Sequence, residues 1–176
     1  MRRKLAWPLL VAALGLVLAS GIYIANPLGT ASRDLGARLW GRATMRVPDK
    51  AMEPTLLAGY ELEVDTSAFR RQPPRRGDLL VYFSADGPRI GRVVALPGER
   101  VAMRLGDVFV DEVLQAAPEG VQVPTGPGPG RDLAETRVPP GQVFVLADNR
   151  DLGGDSRDTG PVPARRWVGK VVAVRR

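Results

Sequence analysis

The apolar residues of this chain fall into two regimes. Leu5 to Ala25 is a run of 21 residues without a charge. About 20 apolar residues cross a bilayer as a helix, so this run predicts one membrane-spanning helix. Pro8, Gly15 and Gly21 are tolerable in such a helix. Trp7 and Tyr23 lie near its ends, at interfacial depth. From Tyr60 onward the pattern changes to short apolar runs divided by turn signals, the signature of strands. Tyr60–Val64 alternates. Asp78–Phe83 follows an Arg-Gly turn, and Arg89–Leu96 stops at Pro97-Gly98. Arg100–Leu105 and Val108–Val110 flank Gly106-Asp107, a two-residue hairpin signal. Gln142–Leu146 and Trp167–Val174 complete the set, and a short helix is expected near Leu35–Trp40.

These patterns divide the chain into a basic tip and anchor (1–27), a connector (28–46) and an exported domain (47–176). Within the last, 115–131 holds four prolines and four glycines and reads as a loop insertion. Arg2, Arg3 and Lys4 precede the apolar run, so the positive-inside rule puts the N-terminus in the cytoplasm and the domain outside it, on a single-pass plasma-membrane protein. Ala19, Ser20 and Gly21 keep a cleaved signal peptide open, although the run exceeds the usual 7–15 residues of such segments. Either way the domain is exported.

Composition narrows the chemistry. The chain has no Cys and no His, which removes disulfides, thiolate nucleophiles, Ser-His-Asp triads and His-zinc sites. Hydrolysis would have to use Ser or Thr with Lys, or carboxylates. No cofactor or metal is implied. The net charge of +6 suits anionic lipid headgroups, and no nucleic-acid-binding motif accompanies it.

Four boxes carry a resemblance. Residues 49–59 read Asp-Lys-Ala-Met-Glu-Pro-Thr-Leu-Leu-Ala-Gly; Arg76-Gly77-Asp78 precedes an apolar strand. Residues 90–101 read Ile-Gly-Arg-Val-Val-Ala-Leu-Pro-Gly-Glu-Arg-Val, and 147–160 read Ala-Asp-Asn-Arg-Asp-Leu-Gly-Gly-Asp-Ser-Arg-Asp-Thr-Gly. In order and spacing they resemble bacterial type I signal peptidases, which use a Ser-Lys dyad. The resemblance covers roughly 44–174 and implies a mostly β fold: coiled antiparallel sheets around a peptide groove, with one N-terminal transmembrane helix. Met52, Pro54, Arg92, Asp155 and Arg157 match the family as substrate-binding or site-supporting residues, and Asp155 and Arg157 are expected to form a buried ion pair.

The departures fall on the chemistry. Ala51 stands at the family's nucleophile, Gly91 at its base lysine, Asp49 at an oxyanion serine and Gly153 at the serine that orients the lysine. An alanine methyl cannot attack a carbonyl, and a carboxylate at 49 would repel an oxyanion. The resemblance therefore implies a homologue that holds exported precursor peptides or surface proteins at the membrane without cutting. Cleavage by substitutes remains open, with Ser84 as nucleophile and Lys50 as base. So do a vestigial groove, with Met52 and Leu57 as an exposed apolar patch, and an aspartic dyad drawn from Asp49, Asp148 and Asp155. The oligomeric state is not legible.

Overall fold

The computed structural model describes residues 6–25, 35–119, 121, 131–152 and 154–175. Arg2, Arg3, Lys4, residues 28–34 of the connector, 122–130 of the insertion, Gly153 and the side chain of Tyr23 lie outside the described residues.

Helix α1 covers Ala6–Ala25 and α2 covers Leu35–Trp40. The strands follow as β1 (Arg42–Arg46), β2 (Glu61–Asp65), β3 (Leu79–Ser84), β4 (Gly87–Ala95), β5 (Arg100–Arg104) and β6 (Asp107–Val110). Then come β7 (Val113–Gln115), β8 (Leu133–Arg137), β9 (Gln142–Leu146), β10 (Val162–Pro163) and β11 (Trp167–Arg175). Two one-turn helices, α3 (Ala68–Arg71) and α4 (Ser156–Thr159), complete the elements used below. Seven strands form one sheet in the order β1-β2-β11-β3-β4-β9-β10, and four form a second in the order β7-β6-β5-β8. All pairings are antiparallel.

The large sheet is covered on both faces around β9, which explains why its Val143, Phe144, Val145 and Leu146 are all buried. Phe144 and Leu146 pack with Val101, Met103, Val108 and Val110 of the small sheet. Val143 and Val145 pack on the opposite face with Leu80, Tyr82 and Val93. A strand buried on both sides needs a continuous apolar run, and this one has it. A further core gathers Val47, Met52, Leu56, Leu62, Val64 and Val168.

Two expectations are corrected here. The hairpin between β5 and β6 turns on Leu105-Gly106, with φ of 52° and 91°, one residue earlier than the Gly106-Asp107 pair suggested. Two successive positive φ angles match the twist of a tight hairpin. Met52 is 1% exposed and belongs to the core, so it contributes no exposed apolar patch. Leu57 is exposed as expected. Arg42–Arg46 of the connector pairs with β2 along its whole length and is part of the large sheet.

The long N-terminal helix is present, and Trp7, Leu9, Leu10, Val11 and Leu14 are each more than half exposed around its circumference. Among the described residues, no helix is long and apolar enough to cross a membrane.

Close packing in the large sheet makes one glycine obligatory. A Cβ at Gly169 of β11 would lie 2.5 Å from the Asp65 carbonyl oxygen and 2.8 Å from Val64 Cγ1. The obstacle is backbone and cannot rotate away. Gly169→Ala is expected to cost about 3 kcal/mol, measured by urea unfolding; a loss below about 1 kcal/mol would mean that β2 yields easily.

Candidate active site

The site lies where the turn 51–55, the start of β4 and the loop after β9 meet. Asp49, Ala51, Arg89, Ile90, Ala147, Gly154 and Asp155 line a small cavity there. The Asp49 carboxylate accepts the Ala51 N–H at 2.9 Å, closing a turn on itself. The Asn149 N–H donates to the Ala51 carbonyl at 2.9 Å, tying the first box to the last. Met52 and Leu56 anchor the turn from beneath, while Pro54 is exposed.

The loop after β9 is organised by Asp155, which is 2% exposed. Its carboxylate accepts the Ala147 N–H at 2.9 Å, the Arg157 N–H at 2.9 Å and Arg157 Nε–H at 2.9 Å. It caps α4 at the same time. Next to it, Ser156 Oγ accepts the Val145 N–H at 3.0 Å. Strand β10 pairs only with Val143 and Gln142 of β9. The side chains of Ser156 and Asp155 thus replace a strand for Val145 and Ala147. Arg157 also donates from Nη1 to the Arg150 carbonyl at 2.9 Å.

Gly91 lies mid-strand in β4, opposite Leu80. A Cβ there would meet Val145 Cβ at 3.0 Å and Tyr82 Cε1 at 3.5 Å, so the space is already filled. On the same face of β4, Arg89 reaches over Gly154, donating to its carbonyl at 3.3 Å and to Ser84 Oγ at 3.2 Å. Gly154 has φ of 98°, and any side chain there would collide with the Arg89 guanidinium. Gly153 lies outside the described residues.

The remaining candidates are held elsewhere. Ser84 Oγ donates to the Gly87 carbonyl at 3.0 Å within the β3–β4 turn. Lys170 Nζ pairs with Asp78 at 2.7 Å. Lys50 is exposed. Asp148 is bound by Arg92 at 2.8 and 2.6 Å and does not share the small cavity with Asp49 and Asp155. Among the described residues, that cavity is lined by no Ser, Thr or Lys.

The family model described as "Signal peptidase, peptidase S26" matches residues 33–175. The chain belongs to this signal peptidase family. A probable signal peptidase I of Synechocystis sp. is 32% identical over 173 residues, covering 92% of this chain and 76% of that protein. Signal peptidase I of Bacillus caldolyticus is 34% identical over 144 residues, covering 76% and 79%. A solved signal peptidase I structure from Enterococcus faecalis V583 aligns with a TM-score of 0.49 at 25% identity, over 56% of this chain and 97% of that one.

Two residues at or beside the cavity at Ala51 were not singled out in sequence, Tyr82 and Arg89, since both read simply as strand residues. Burial pushes the Tyr82 hydroxyl up to about 12; Asp155 adds to the rise, Arg89 opposes it and Asp49 adds again. A phenol that ionises near 10 in the unfolded chain and near 12 in the fold stabilises the fold fully below pH 10. That stability is lost as pH rises through 12. About 2–3 kcal/mol is expected to drain away between pH 10 and 12. Tyr82→Phe should remove this slope relative to the parent, read from denaturation at pH 9, 10.5 and 12. Parallel curves would show that the hydroxyl ionises as freely in the fold as outside it.

Proposed function

We propose that this chain is a non-cutting member of the signal peptidase family that binds exported precursor peptides at the membrane. One observation carries the reading: the cavity at Ala51 offers no hydroxyl beside a lysine among its described lining residues. In the family resemblance Ala51 and Gly91 take the positions of nucleophile and base. The Ser-Lys mechanism needs an oxygen to attack and a neutral amine to receive its proton. Ser84 has neither the position nor a base, since its hydroxyl is bonded to the Gly87 carbonyl, the Asp86 N–H and the Arg89 guanidinium. Peptide binding needs only backbone and shape, which loss of a dyad leaves in place.

We assign membrane attachment to α1, with the N-terminus cytoplasmic. The uncharged run Leu5–Ala25 and the exposed apolar side chains around the helix support this. Residues 47–176 are then the exported unit.

A second reading, an active signal peptidase that removes signal peptides, is favoured by the names of the relatives. One experiment separates them. The full chain in detergent micelles is mixed with a fluorescent precursor; anisotropy reports binding and a gel reports cleavage. Saturable binding with intact precursor is expected. Cleavage that persists through every purification step would overturn the reading, and absence of both would leave the groove vestigial.

A further inference from the structure

The arginines of this chain are unevenly matched by carboxylates. At the β1 edge of the large sheet they pair: Arg42 with Glu63, Arg46 with Glu61 and Arg175 with Glu63. Around α3 and the start of β11 four do not. Arg70, Arg75, Arg165 and Arg166 are exposed, and their side chains make no ion pair or hydrogen bond among the described residues. The sequence explains why, since residues 66–77 and 159–176 contain no Asp or Glu. The carboxylates that border these stretches are already engaged. Arg71 holds Asp65, Lys170 holds Asp78, and Asp158 accepts the Gly154 N–H.

Packing gathers the four around one aromatic contact. Helix α3 packs on β11, where the Phe69 ring meets Trp167 edge-on with centroids 5.6 Å apart. Arg70 adjoins Phe69 in the chain, and Arg165 and Arg166 lead directly into Trp167. Arg75 lines a small cavity together with Phe69, Gln72 and Lys170. This surface lies at the end of the sheet where the chain arrives from α1. Helix α2 contacts α1 and is fastened to the residue two places ahead of α3. The Thr66 N–H donates to the Gly41 carbonyl at 2.9 Å, and the Thr66 hydroxyl donates to the Ala37 carbonyl at 2.8 Å. Trp40 of α2 is 73% exposed, an aromatic suited to headgroup depth.

Like charges gathered without counter-charges repel one another, and an anionic surface relieves that repulsion. A guanidinium also grips phosphate oxygens through paired N–H donors. We propose that this arginine surface docks on anionic phospholipid headgroups and holds the α3 end of the domain against the bilayer that α1 enters. The inference rests on the reading of α1 as the membrane attachment. It does not depend on whether the chain cuts. A soluble anion would satisfy the charges equally well, but it gives no reason for their place beside α2 and Trp40. Each arginine near an anionic membrane surface contributes about fivefold in affinity, and the attraction fades as salt screens it.

The test uses the full chain in lipid nanodiscs, of phosphatidylcholine alone or with phosphatidylglycerol added. The chain has no Cys, so a single thiol reports on one place. Ala164→Cys puts it at an exposed position beside Arg165, and Ala134→Cys puts a control on β8, at an edge of the small sheet. An uncharged maleimide is expected to label position 164 at least tenfold more slowly in the anionic discs than in the neutral ones. High salt should erase the difference, and position 134 should react equally in both. Combining Arg70→Gln, Arg75→Gln, Arg165→Gln and Arg166→Gln should abolish the protection and leave the melting temperature unchanged, since these side chains hold nothing in the fold. Equal labelling at 164 in a chain retained by both discs would overturn the docking and leave α1 as the attachment. A chain that leaves neutral discs yet is protected on anionic ones would overturn attachment by α1 and keep the docking. Release from both discs would overturn both. Protection that survives the four substitutions, or that inorganic phosphate or polyglutamate produces in neutral discs, would also overturn the proposal.

Discussion

Asp155→Ala is expected to destabilise the fold by about 3–5 kcal/mol, the range for removing one partner of a buried ion pair. The two side chains are 3% and 6% exposed, so water does not replace what is lost. The substitution strands the Arg157 guanidinium and also leaves the Ala147 and Arg157 backbone N–H groups without an acceptor. Asp155→Asn keeps acceptor oxygen and shape while removing charge, and should fall between parent and alanine. Asp155→Leu combined with Arg157→Met should cost less than Asp155→Ala alone, since no charge is then left buried. Urea unfolding followed by tryptophan fluorescence measures all three. A loss below about 1 kcal/mol for Asp155→Ala would show that the loop after β9 is held by backbone alone.

Restoring cleavage is expected to need three substitutions. Ala51→Ser supplies an oxygen but no base. Gly91→Lys supplies an amine in a dry place, beside Tyr82 at 3% and Val145 at 0% exposure, where burial favours the neutral form a base requires. A Cβ at 91 nevertheless meets Val145 Cβ at 3.0 Å, tighter than ordinary contact. Val145→Ala removes the neighbouring contact with Cγ2 at 3.2 Å, and the Cβ–Cβ contact is then relieved by a shift of a few tenths of an ångström. Ala51→Ser with Gly91→Lys and Val145→Ala is expected to process a precursor about 10²–10⁴-fold faster than Ala51→Ser alone, the range for adding a positioned base. The double variant with Val145 retained should lag behind it. If the triple variant folds, binds precursor and remains silent, the departure at Asp49 or Gly153 is also disabling.

Most of the large sheet was legible because its strands carry apolar side chains in the periods their burial demands. Gln142–Leu146 and Trp167–Val174 appear almost as read. Strands β7 and β8 were not legible. Val113 and Leu114 are exposed on an edge strand, and Ala134 and Glu135 are exposed on the other edge, so neither sequence alternates toward a core. Leu105 at positive φ defeated the turn assignment, because turn chemistry points to Gly and Asp first. Residues from three of the boxes line one small cavity. Their junction is a bond from the Asn149 N–H to the Ala51 carbonyl, and backbone bonds leave no trace in side-chain identity. The crowding at Gly91 was hidden for a related reason: it depends on Val145, 54 positions away in the chain and brought alongside by sheet pairing.

The guanidinium of Arg89 lies directly over Gly154, in the volume a side chain would occupy. A side chain at 154 would have to displace that guanidinium, the far end of a flexible side chain, and break its bond to the Gly154 carbonyl. The φ of 98° is the firmer constraint, because it excludes most residues whatever stands at 89. Across homologous chains, glycine should therefore persist at 154 with or without arginine at 89.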